Sequence, residues 1–151
     1  MARILVALDE TDASGRVAQF VNDFFGGKAD VEILAISVAR GPATWIPPAA
    51  GYGWVYGWGW PAALSPQEIE AARDEVVERA EQTLERQGIA DDEAIVEVGD
   101  PTVVILQAAR DRGVDLVVVG TNHKNLLERL FSRSVSHEVL RESDRPVLLV
   151  P

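Results

Sequence analysis

Cysteine is absent from this chain of 151 residues, which excludes a disulfide framework and any thiolate metal site. Positive charge is scarce: 14 lysines and arginines face 24 aspartates and glutamates, for a formal net charge of −10. A surface of that sign repels phosphate backbones, so no nucleic-acid partner is expected. Histidine is nearly missing too. His123 and His137 have neither a cysteine nor a tight carboxylate cluster beside them, so no metal site is read from them. Charge of either sign vanishes over 27 residues, Gly41 to Gln67, long enough to raise a membrane span. The five glycines and five prolines in that stretch exclude a spanning helix. The opening, MARILVALD, passes straight into a strand-like run with no basic region and apolar signal segment ahead of it. With cysteine missing as well, a cytoplasmic location is expected.

What is present alternates. Ile4 to Leu8 is a short apolar run of the kind that forms a buried parallel strand. Val17, Phe20, Val21, Phe24 and Phe25 recur at helical spacing, and Gly26-Gly27 ends that helix. Val31 to Val38 is a second strand. Ser65-Pro66-Gln67-Glu68 has the form of a capping box, and the helix behind it turns Ile69, Ala72, Val76, Ala80 and Thr83/Leu84 to one side. Ala94 to Val98, Asp115 to Gly120 and Pro146 to Val150 complete five strands. Helices opening at Asp100-Pro101 and at Ser134 lie between them. Strand and helix in turn mean βαβ units, and with no internal repeat or second core the whole chain, 1–151, reads as one doubly wound α/β domain. In such sheets ligands lie beyond the carboxyl ends of the strands, where the winding reverses. Asp9, Val38 and Gly120 stand at those ends.

At these residues the chain resembles the universal stress protein family. ILVALDETDAS (Ile4 to Ser14) is similar to its opening strand and Asp. Gly99-Asp100-Pro101 is similar to its Gly-x-Pro, DLVVVGTNH (Asp115 to His123) to its fourth strand, and SRSVSHEVLRESDRPVLLV (Ser132 to Val150) to its ending. The resemblance implies a five-stranded parallel sheet of order 3-2-1-4-5 with helices on both faces. It also implies a homodimer paired through the final strand, 147–150. The nucleotide-binding branch of the family carries Gly-x2-Gly-x9-Gly-Ser/Thr, in which glycines let backbone approach phosphate and a helix N-terminus receives the anion. Laid on this chain the pattern falls on Gly120, His123, Arg133 and Ser134, so two of three glycines are replaced. The candidate nucleotide site is Asp9, Val38, Gly120, His123, Arg133, Ser134, Val135 and Ser136. His123 and Arg133 crowd a triphosphate, whereas Arg133 is also a good partner for a smaller anion. The segment from His123 to Arg145 carries a charge of +1 in an otherwise acidic chain.

Each of these residues has a plainer reading. Asp9 and Ser134 have the chemistry of turn and helix caps, and Gly120 ends a strand. Ser136, His137 and Asp144 do not make a triad, because adjacent helical residues do not face each other. Gly51-x-Gly53-x-x-x-Gly57 is not a dinucleotide loop, because it does not join a strand directly to a helix.

Six of the ten aromatic residues, Trp45, Tyr52, Trp54, Tyr56, Trp58 and Trp60, lie in an aromatic, Gly- and Pro-rich insertion at 41–66. Five of them are spaced by two, so an extended segment turns them to one side. They form either an extension of the core or a lid or partner surface at the ligand edge. The expectation is a non-enzymatic stress-response regulator or adaptor, dimeric and open to a protein partner, that needs no cofactor and holds ATP weakly or not at all. The alternative is an ATP- or AMP-binding protein, with Mg²⁺, that hydrolyses ATP slowly or phosphorylates itself.

Overall fold

The computed structural model describes residues 1–40, 66–89, 93–121 and 134–151. The elements run β1 (Ala2–Leu8), α1 (Asp12–Phe24), β2 (Val31–Ala39), α2 (Pro66–Gln87), β3 (Glu93–Val98), α3 (Pro101–Asp111), β4 (Leu116–Gly120), α4 (Val135–Glu142) and β5 (Val147–Val150). They build one parallel sheet in the order β3-β2-β1-β4-β5. β1 is central: Ile4 lies opposite Ile33 of β2 and opposite Leu116 of β4.

Side-chain alternation divides the apolar residues of each strand between two cores. Ile4, Val6 and Leu8 of β1 join Ile33 and Ala35 of β2 beneath Val17, Ala18 and Val21 of α1 and Leu84 of α2. Leu5, Leu34, Ile36 and Ile95 join Val117 and Val119 on the opposite face, beneath Ile105, Leu106 and Ala109 of α3 and Val139 of α4. The strands are therefore covered on both sides, which is why they read as continuous apolar runs. Gly88 and Gly113 close α2 and α3 at φ +59° each, a conformation glycine adopts without steric cost.

Two details differ from the sequence reading. The buried stripe of α1 is Ala13, Ser14, Val17, Ala18 and Val21, whereas Phe24 is 57% exposed. Phe24 instead stacks on Phe20 at 4.5 Å between ring centroids, so the aromatic end of the helix packs against itself. β2 runs one residue further, to Ala39, because Ala39 pairs with Val98 and its carbonyl accepts from Gly99 N–H at 3.0 Å. The bulk of the aromatic insertion, 41–65, lies outside the described residues. Among those described, no helix is long and apolar enough to cross a membrane.

Candidate functional site

From β1 the chain winds outward through β2 to β3, then returns to lay β4 on the other side of β1. The chain thus leaves β1 for one face of the sheet, under α1, and β4 for the other, under α4, and a cavity of about 230 Å³ opens there. Its apolar floor is the outer end of the second core, formed by Ala7, Ile36, Val38, Ile105 and Val119. Its rim is polar: Asp9, Thr11 and Ser14 after β1, Arg40 after β2, and Ser134 and Ser136 where α4 begins.

The turn after β1 is tied by its own side chains. Asp9 Oδ1 accepts from Thr11 N–H at 2.9 Å, from the Thr11 hydroxyl at 2.6 Å and from the Ser14 hydroxyl at 2.8 Å. The Ser14 oxygen in turn accepts from Asp9 N–H at 2.7 Å. Ser14 is buried, and this closed ring satisfies its hydroxyl as donor and acceptor. All three bonds to the Asp9 carboxylate fall on Oδ1, and Oδ2 accepts nothing from the described residues.

Gly120 has a packing reason to be glycine. A Cβ there would lie 3.0 Å from Ala13 Cβ and 3.0 Å from Val17 Cγ2, so its lack of a side chain lets α1 rest directly on β4. Ser134 is the N-cap of α4, its hydroxyl accepting from His137 N–H at 3.3 Å with Ser136 Oγ also at 3.3 Å. Asp100 caps α3 through Val103 N–H at 3.1 Å, with Pro101 in the first turn. The two helix starts are joined where the Thr102 hydroxyl donates to Glu138 Oε2 at 3.0 Å. Further along α4 the Arg141 guanidinium is held above its ordinary pKa, first by its hydrogen bond to Glu142 and then by that carboxylate's charge.

Six of the expected positions, Asp9, Val38, Gly120, Ser134, Val135 and Ser136, thus converge on one cleft. His123, Arg133 and the aromatics Trp45, Tyr52, Trp54, Tyr56, Trp58 and Trp60 lie outside the described residues. The sequence reading missed Arg40 and the partners of Asp9. Arg40 was marked by the alternation Ile36, Val38, Arg40, and Ser14 by its place as a hydroxyl in the first turn of α1. Among the described residues no group of three His, Asp or Glu side chains is placed to hold a metal.

The sequence profile of the universal stress protein family matches residues 1–151. The chain belongs to that family. A 56-residue stretch is 38% identical to universal stress protein MJ0577 of Methanocaldococcus jannaschii, covering 37% of this chain and 35% of that protein. An 85-residue stretch is 35% identical to the stress response protein NhaX of Bacillus subtilis, covering 56% of this chain and 51% of the relative. The matches thus span about half the length of these relatives or less. The solved structure of MJ0577 shares the fold with a TM-score of 0.66 at 22% identity, over 98% of this chain and 94% of that one. A universal stress family protein of Arabidopsis thaliana, solved with AMP bound, has a TM-score of 0.57 at 17% identity, over 99% and 91%. Other universal stress proteins of this fold were solved with cAMP and with dAMP.

As a universal stress protein cleft, this one has a definite polarity. An apolar wall lies at β2, a carboxylate at β1, and a helix start with two hydroxyls next to β4. A carboxylate repels phosphate, whereas the α4 N-terminus attracts it through its free N–H groups and dipole.

Proposed function

We propose that this universal stress protein is a stress-response regulator that binds an adenine nucleotide with a short phosphate chain, AMP above all, as a ligand rather than as a substrate. One observation carries the reading: the order of chemistry along the carboxyl edge matches the order of parts in a nucleoside monophosphate. Val38 and Ile36 offer a base an apolar wall. Asp9 Oδ2 is an acceptor for ribose hydroxyls, and the start of α4 receives the phosphate. The cavity, at about 230 Å³, is smaller than the roughly 300–1,000 Å³ usual for drug-sized ligands, which suits a compact nucleotide. His123 and Arg133, in place of two glycines of the family pattern, favour one phosphate over three. Relatives of the same fold solved with AMP, cAMP and dAMP support the ligand class. The engagement of Ser14 and Ser134 in local caps favours binding over catalysis.

Calorimetric titration with AMP, and with ATP and Mg²⁺, tests the proposal. Micromolar AMP binding with weaker ATP binding supports it, and the double variant His123→Gly with Arg133→Gly then gains ATP affinity. Absence of heat with both nucleotides refutes it and leaves the adaptor reading. We also propose that the chain self-pairs through β5, an edge strand whose Leu149 is 36% exposed. Light scattering is expected to give a dimer that Leu149→Lys converts to monomer, and a monomeric parent protein refutes it.

A further inference from the structure

We infer that Arg40 determines the specificity of this cleft: its guanidinium covers the face of a purine seated against Val38 and selects the nucleotide by its base. The inference rests on the nucleotide reading above and adds a residue that the family pattern does not include.

Ile36, Val38 and Arg40 follow one another at the two-residue period of a strand, and all three line the cavity. Ser37 and Ala39 between them do not. The same side of β2 thus supplies an apolar wall and, one step beyond it, a planar cation. Arg40 is exposed and pairs with no carboxylate of the described residues. Asp9 stands on the neighbouring strand end, since Leu8 lies opposite Ser37, but Thr11 and Ser14 hold its Oδ1. Among the described residues, no carboxylate claims the Arg40 charge.

Position decides which part of the ligand it meets. The α4 helix packs on α3 and on β5, which lies beyond β4, and β2 lies two strands from β4 across β1. Two interstrand spacings amount to about 10 Å, so a phosphate at Ser134–Ser136 lies on the far side of the ribose from Arg40. A planar, weakly hydrated guanidinium beside an apolar wall suits the face of an aromatic base, with Val38 on the other face. A purine offers such a stack more area than a pyrimidine.

Titration calorimetry on the full chain separates base from phosphate. The parent protein, Arg40→Ala and Arg40→Lys are each titrated with AMP, adenosine, CMP and ribose 5-phosphate. Arg40→Ala is expected to weaken AMP and adenosine alike, by about 10-fold within the 2- to 30-fold range of such contacts. It should reduce the preference for AMP over CMP and leave ribose 5-phosphate unchanged. Arg40→Lys recovers only part of the loss, because an ammonium cannot stack. Because Arg40 is exposed, an unchanged thermal transition is expected for both variants. A loss for AMP and ribose 5-phosphate but not adenosine would overturn the inference in favour of a phosphate contact. Unchanged AMP affinity in Arg40→Ala would also overturn it while leaving the nucleotide reading intact. A parent protein that binds neither AMP nor adenosine would overturn both.

Discussion

The two faces of the sheet are built from the same strands and end differently. Under α1 and α2 buried Leu8 and Val150 carry the core to the carboxyl edge, where Gly120 lets α1 close down on β4 and only Leu8, Ala13, Ser14 and Gly120 border the cavity. Under α3 and α4 the outer end of the core, Ala7, Ile36, Val38, Ile105 and Val119, forms the floor of a cavity. There the helices meet through a hydroxyl and a carboxylate, Thr102 and Glu138. The difference shows how a doubly wound fold acquires a site without a special element. The same alternation of apolar side chains fills one face and, where the winding reverses between β1 and β4, floors a cavity edged by the starts of α3 and α4 on the other.

Substitutions can press on this contrast. Gly120→Val drives a side chain into Ala13 and Val17, and is expected to cost about 3 kcal/mol in chemical denaturation. A cost near zero would mean that α1 is not tightly seated. Ala35 and Ala7 allow the same change to be made on both faces. Ala35 is fully buried in the sealed core, so Ala35→Ile should cost about 1–3 kcal/mol by overpacking. Ser14→Ala opens the ring at Asp9 and removes a buried hydroxyl that satisfies two groups, with an expected loss of about 1 kcal/mol. Ala7 lines the cavity, so Ala7→Ile is expected to stay within about 0.5 kcal/mol of the parent while abolishing AMP binding. Equal costs for Ala35→Ile and Ala7→Ile would erase the distinction between the faces.

Most of the fold was legible in one dimension because buried parallel strands carry uninterrupted apolar runs, as in Ile4–Leu8 and Leu116–Val119. The helix boundaries were legible because Asp100-Pro101, Gly88 and Gly113 carry local signals that act within one turn. The strand order came through the family resemblance, since no local feature says that β1 lies between β2 and β4. In the site, Asp9, Val38, Gly120 and Ser134 were found because strand ends and caps are local features. What stayed hidden depends on contacts between distant segments. Gly120 is glycine because of a helix more than 100 residues earlier, and Thr102 is tied to Glu138 across 36 residues. The alternation Ile36, Val38, Arg40 marks a side of β2, but that this side faces the cleft beside Asp9 depends on the register of β2 against β1. The exposure of Phe24, which stacks on Phe20 while Phe20 and Phe25 pack against the core, is a division that helical spacing alone does not show.

The central place of β1 also sets a schedule. It is synthesised before β4, and one of its edges waits for Leu116–Val119, more than 100 residues downstream. At about 5–20 residues per second, that edge stays open for roughly 5–20 s on every nascent chain. For that interval an apolar strand, destined for the centre of the sheet, is a template for any passing strand. A holdase acting during synthesis therefore finds its opportunity at Ile4–Leu8, before the cleft exists.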